Sequence, residues 1–251
     1  MEAVIFRVSG NLAGALIMTD TQNRQQTQVF RTSSMVEVDQ LITQSIELHR
    51  NARDSFMMLY NISLRPLLKE RSDGFACAFD HLVRMNKTYY RLLETGTMRD
   101  EYGMIGEGGS TLLFDWFLRF YDGMLWSVDI ESDALKLVHD IGLHKTQLIY
   151  GDSVSFLYQA ARMGGMQHFD LIYLDSFDGF VDFETFGAPA HQQKELAAMG
   201  KLASGTIVMM DDMQVGEGYR ARPKGIYSSD YCHAIGWQLL YMGMQSVWMV
   251  P

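Results

Sequence analysis

Apolar positions change rhythm along this chain. From residue 89 onward they gather into short, nearly continuous runs at 89–95, 124–129, 147–151, 169–175 and 205–211. Runs of this kind, such as FDLIYLD and GTIVMMD, predict parallel strands buried on both faces. Between them, apolar residues spaced by three and four predict helices over 110–121, 132–141, 153–163 and 189–202. Ser110, Ser132 and Ser153 stand where helix N-caps are expected, and Pro189 falls in a first turn. None of the four prolines interrupts a strand run, as central strands require. A helix around 228–235 then precedes two last runs, 237–241 and 246–250, joined by Gly243, Met244 and Gln245. That join is too short for a crossover helix, so the two strands should be antiparallel neighbours.

The part before residue 89 follows a different pattern. Residues 1–35 read as a hairpin or two short strands about Gly10 and Asn11, and 35–86 read as helices interrupted near Pro66. The expected fold class is therefore α/β. It comprises a mostly parallel sheet with an antiparallel C-terminal strand, helices on both faces and a mainly helical N-terminal extension. Residues 1–87 are expected as a hairpin and helical cap or oligomerisation region, through which a homo-oligomer could form. Residues 88–251 carry the sheet domain.

Composition narrows the function classes. With 251 residues, 47% of them hydrophobic, and a net charge of −9, the chain can bury a sizeable core. The acidic balance argues against a nucleic-acid partner, since phosphate contacts need clustered Lys and Arg. The basic group at 220–224 reads as a solvated loop. Cys77 and Cys232 lack CxxC spacing, so neither a disulfide framework nor a zinc site is expected, and both read as reduced thiols of a cytoplasmic protein. No apolar run approaches the ~20 residues of a membrane span. Glu2 stands where a secretion signal needs basic charge.

The chemistry concentrates at the strand ends. Residues 89–129 form a strand, a glycine turn (Gly106, Glu107, Gly108, Gly109), a helix opening at Ser110, and a second strand closing on Asp129. Ligands of open α/β sheets bind outside the carboxyl ends of the strands. Here the five strands end at Glu94, Asp129, Asp152, Asp175 and the pair Asp211 and Asp212. Acids gathered at one edge repel each other, which favours a ligand site over a structural accident. Asp129 follows Gly109 at the spacing that brings an acid to a ribose diol. Gly96 and the glycine turn let backbone approach a ligand closely. Glu94 and Glu107 beside that turn disfavour a pyrophosphate and favour a cofactor that carries positive charge. Asp175, Asp211 and Asp212 form a second group whose oxygens suit Mg²⁺ or Mn²⁺. The other reading of this group is that one acid faces the site while the rest cap a helix or pair with arginine.

The segments LLETGT, SVDIESD, GDS, LIYLDSFD and LLYMGMQSVWMV, spanning about 89–251, resemble the class I S-adenosylmethionine-dependent methyltransferases, whose sheet is Rossmann-like. Within that class, LDSFD together with IVMMDDM is similar to the metal-dependent O-methyltransferases of the catechol and macrocin types. The resemblance implies that Glu94, Thr95, Gly96, Ser110, Asp129, Ile130, Asp152, Ser153 and Asp175 surround S-adenosylmethionine. Asp129 would take the ribose hydroxyls, Asp152 and Ser153 the adenine, and residues 94–96 the methionine part. Asp175, Asp211 and Asp212 would hold Mg²⁺ or Mn²⁺ against the acceptor's oxygens. The chain departs from the family in its sparse glycines after Glu94 and in extra residues at 98–107, expected as a lid. Asp178 and His191 are the nearest candidates for a catalytic base. The expected activity is metal-dependent O-methylation of a hydroxyl on a small molecule, a sugar or a natural product. The alternative is a non-catalytic protein that binds S-adenosylmethionine or serves in assembly.

Overall fold

Strand runs flanked by short turns and helices can only bury both faces by stacking into one covered sheet, and the chain does so. This computed structural model describes residues 40, 43, 55–100, 109–177, 187–213 and 224–251. The hairpin expected over 1–35 and most of the first helical region lie outside the described residues.

Seven strands form one sheet: β1 (Tyr90–Thr95), β2 (Gly123–Asp129), β3 (Thr146–Tyr150), β4 (Leu171–Leu174), β5 (Ile207–Met210), β6 (Gln238–Met242) and β7 (Ser246–Met249). Their order is β3-β2-β1-β4-β5-β7-β6. The first five are parallel, while β7 runs antiparallel to both β5 and β6. The last two strands are therefore antiparallel neighbours, as the three-residue join requires, with β7 inserted between β5 and β6. This is the Rossmann-like arrangement of class I methyltransferases.

The helices among the described residues are α1 (Ser55–Leu59), α2 (Ser72–Met85), α3 (Ser110–Tyr121), α4 (Ser132–Ile141), α5 (Ser153–Arg162), α6 (Gly187–Ala198) and α7 (Ile226–Ala234). The interruption near Pro66 is real: a π turn at Tyr60–Leu64 and 3-10 turns at Arg65–Leu67 and Lys69–Arg71 separate α1 from α2. Ser110, Ser132 and Ser153 sit one residue inside their helices. The caps are Gly109, Glu131 and Asp152, and of these only Asp152 caps with its side chain, accepting from Ser155 N–H.

Alternate residues of each strand point to opposite faces, which splits the interior in two. Leu92, Tyr173 and Met209 pack with Phe56, Phe79, Phe114 and Phe117 from α1, α2 and α3. Leu93, Ile172 and Val208 pack with Leu157, Leu196, Cys232 and Trp248 on the other face. Phe79 stacks on Phe117 at 5.3 Å, and Phe75 meets Tyr173 at 5.6 Å. Residues 55–85 thus share a core with the sheet. Each such aromatic pair adds about 0.5–1.5 kcal/mol beyond its buried area. No helix among the described residues is long and apolar enough to cross a membrane.

Candidate active site

Parallel strands in register carry their carboxyl ends to one edge, and a row of backbone hydrogen bonds shows which residues meet there. Gly151 N–H donates to the Asp129 carbonyl (2.9 Å), and Gly96 N–H to that of Val128 (2.9 Å). Asp175 N–H donates to Thr95 (3.0 Å), and Asp211 N–H to Leu174 (3.1 Å). These strand-end residues therefore lie along a single rim. They divide into three groups that serve different ends.

The first group lines a cavity of about 780 Å³ beyond β1, β2 and β3. Gly96, Asp129, Ile130, Asp152, Ser153 and His191 all contribute to its wall. Asp129 is oriented by two backbone amides: Thr97 N–H donates to Oδ2 at 2.7 Å and Glu131 N–H to Oδ1 at 2.8 Å. Each carboxylate oxygen keeps another lone pair for a ligand. Ile130, directly after this acid, is 60% exposed, an apolar surface presented to the cavity instead of the core. Asp152 is held below the ordinary carboxylate value, mainly by its hydrogen bonds with Ser155. Gly96, at φ +87°, passes so near β4 that a Cβ there would lie 2.6 Å from the Asp175 carbonyl oxygen. The glycine is therefore required by strand packing as well as by any ligand.

The second group is buried behind the rim. Glu94 is fully buried, accepting from Ser110 Oγ at 3.0 Å and Ser127 Oγ at 2.7 Å, and so ties the start of α3 to β1 and β2. Burial lifts its carboxyl to about 8, against the opposing pull of these hydroxyls. Glu94 and Ser110, expected around a cofactor, are thus used by each other. Thr95 is likewise fully buried in β1.

The third group was expected to hold a metal. Asp175, Asp211 and Asp212 do converge, but upon cations of the protein itself. Lys224 Nζ stands 3.0 Å from Asp175 Oδ1 and 3.1 Å from Asp212 Oδ2. Arg71 Nη2 stands 2.9 Å from Asp211 Oδ2 and 3.5 Å from Asp212 Oδ1. Tyr173 Oη donates to Asp211 at 2.7 Å, and Gln245 Nε2 donates to Tyr173 Oη at 3.1 Å. Burial, followed by the Asp175 charge, raises Asp211 to about 7. Asp175 goes the other way, because Lys224 and then Arg71 outweigh its burial and hold it low. Among the described residues, no group of His, Cys, Asp and Glu side chains is arranged to hold a metal ion. The donors present do not fit a divalent ion here.

Of the candidate bases, Asp178 lies outside the described residues. His191 Nε2 stands 3.1 Å from Ser153 Oγ and 3.8 Å from Glu195 Oε1, and its ring stacks on Phe177 at 5.2 Å. Glu195 is fully buried, is raised by that burial, and accepts from Ser176 Oγ at 2.6 Å. Arg99, Ser176 and Phe177 also line the cavity. The spacing of His191 and Glu195, four apart on one helix face, was a signal for their pairing. Lys224 and Arg71 were missed as well. Lys224 was taken for a solvated residue, yet it is 4% exposed.

No protein-family model matches the chain, and no curated protein matches it. Among solved structures, the chain is similar to the MycE methyltransferase of the mycinamycin biosynthetic pathway, in complex with Mg and SAH. That likeness has 17% identity and a TM-score of 0.47, covering 72% of this chain and 53% of that one. The chain thus spans about half the length of that protein. It is also similar to the calicheamicin methyltransferase CalS11, with 11% identity and a TM-score of 0.47 over 97% of this chain and 98% of that one. For the DhpI–SAH complex the identity is 12% and the TM-score 0.39, over 93% of this chain and 98% of that one. The strand order itself identifies the architecture: this chain has the Rossmann-like fold of the class I methyltransferases.

Proposed function

We propose that this protein is an S-adenosylmethionine-dependent methyltransferase acting on a hydroxyl of a small molecule such as a sugar or a natural product. The observation that carries this reading is the cavity at the ends of β1–β3. There an oriented acid (Asp129), an exposed apolar residue (Ile130) and a polar helix start (Asp152 and Ser153) stand side by side. Asp129 suits the paired hydroxyls of a ribose, and Ile130 with Ser153 suits the face and edge of an adenine. Gly96 leaves room beside β1 for the methionine part, and Arg99 supplies a cation for its carboxylate. S-adenosylmethionine, when bound, supplies an electrophilic sulfonium methyl. The protein's task is then to hold the acceptor oxygen in line with it and to take the hydroxyl's proton. His191 is the base we assign, since its ring forms part of the cavity wall. No step requires a divalent ion, because Lys224 and Arg71 fill the place among the acids. Residues 1–87 would cap the sheet domain of residues 88–251.

The test is transfer of a tritiated methyl group from S-adenosylmethionine to a panel of hydroxylated sugars and natural products. His191→Ala should lower the rate by roughly 10²–10⁴-fold while leaving S-adenosylhomocysteine binding in place. If neither transfer nor cofactor binding is found, the proposal fails.

A further inference from the structure

We infer that Lys224, assisted by Arg71, is a built-in replacement for a divalent cation at the ends of β4 and β5. The wild-type protein would then take no Mg²⁺ or Mn²⁺ there, and removing the lysine would open a metal site. The inference deepens the proposed methyltransferase reading, on which only its consequence for catalysis rests.

The geometry is specific. A divalent ion shared by Asp175 and Asp212 would sit between the same two oxygens that Lys224 Nζ now contacts at 3.0 and 3.1 Å. The ammonium is almost completely enclosed. Its backbone is fixed as well, because Lys224 N–H donates to the Asp212 carbonyl at 2.9 Å. Asp212 itself adopts φ 54°, in the left-handed region. The next residue, Gly225, packs against Met213 so closely that a Cβ there would collide with its sulfur. Arg71 closes the opposite side, with its guanidinium 2.9 Å from Asp211 and 3.5 Å from Asp212. A metal would have to displace an ammonium and approach a guanidinium, both positively charged and largely desolvated.

The same arrangement says what the lysine does. It joins the ends of β4 and β5 to the start of α7, holding two like charges together at the rim. It is a positioning residue: it fixes Asp175, whose backbone passes against Gly96 at the cavity wall. In the methyltransferase reading, activation of the acceptor hydroxyl then falls to a protein base, without help from a Lewis acid.

The experiment is a Mn²⁺ titration of the full chain, followed by the electron paramagnetic resonance signal of the free ion. Wild type, Lys224→Ala, and Lys224→Ala combined with Asp175→Asn are compared, with circular dichroism to confirm folding. Wild type should show no stoichiometric binding tighter than about 1 mM, while Lys224→Ala binds one Mn²⁺ per chain roughly tenfold tighter or better. The double variant should lose that binding. Stoichiometric Mn²⁺ binding by wild type that disappears in Asp212→Asn would overturn the inference, and this arm needs no lysine variant to fold. A folded Lys224→Ala that binds no Mn²⁺ would overturn it too. S-adenosylhomocysteine binding, measured on the same samples by calorimetry, separates a failure of the cofactor reading from a failure of this one.

Discussion

Glu94→Gln changes a proton more than it changes a contact, and its effect on stability can be worked from the structure. The Glu94 carboxyl is fully buried where β1, β2 and α3 meet, and that burial lifts it from 4.5 to about 8. In the unfolded chain it titrates near its ordinary value. Between those limits the folded state keeps a proton that the unfolded state has released, so wild type loses stability as pH rises from about 4.5 to about 8. At about 1.36 kcal/mol per pH unit, the upper bound on this loss is on the order of 5 kcal/mol. Glutamine has the same shape, can accept from one serine and donate to the other, and does not titrate. The stability difference should therefore move in the variant's favour by roughly 2–5 kcal/mol between about pH 4 and pH 9. Urea unfolding followed by tryptophan fluorescence, with unchanged m-values, measures it directly. Wild-type and variant profiles that stay parallel within about 0.5 kcal/mol would refute the reasoning. Glu94 would then be ionised in the folded protein and would face a ligand, water or a cation instead of Ser110 and Ser127.

Three further outcomes follow from the same geometry. Asp129→Asn should weaken S-adenosylhomocysteine binding by about 10–100-fold in calorimetry, the worth of one hydrogen bond to a charged group. Gly96→Ala should cost about 2–3 kcal/mol in urea unfolding, because the added Cβ meets the Asp175 carbonyl and the residue's φ of +87° disfavours any side chain. Arg71→Met should destabilise by about 2–4 kcal/mol above pH 8 and by clearly less near pH 5, since Asp211, stripped of its partner, can take up a proton in acid. Equal costs for Arg71→Met at both pH values would contradict the assignment of that ion pair.

The sheet was legible in the sequence because each strand advertises itself locally. Runs such as 169–175 are largely apolar, and the short join at Gly243, Met244 and Gln245 leaves only an antiparallel pairing for β6 and β7. The insertion of β7 between β5 and β6 agrees with the resemblance stated from the residues. Position along the rim was legible too, since acids that end parallel strands must share an edge. What a rim acid faces was not. Glu94 and Asp129 both end strands, yet one meets two serine hydroxyls and the other a cavity, a difference set by residues far away in sequence. The pairing of Arg71 with Asp211 is likewise non-local. It joins a 3-10 turn before the sheet to the end of its fifth strand, and no periodicity encodes it. Lys224 misled for the same reason, since a basic residue in a charged stretch looks solvated until its partners are placed. His191 and Glu195 were within reach, because four residues on a helix bring side chains together.

The central claim is that the ends of β1, β2 and β3 hold S-adenosylmethionine. A crystal structure of the protein grown with S-adenosylhomocysteine tests it most directly. The account predicts the ribose hydroxyls on the Asp129 carboxylate, with the adenine between Ile130 and Ser153. A cavity that stays empty at saturating nucleoside, or nucleoside bound away from Asp129, would contradict it.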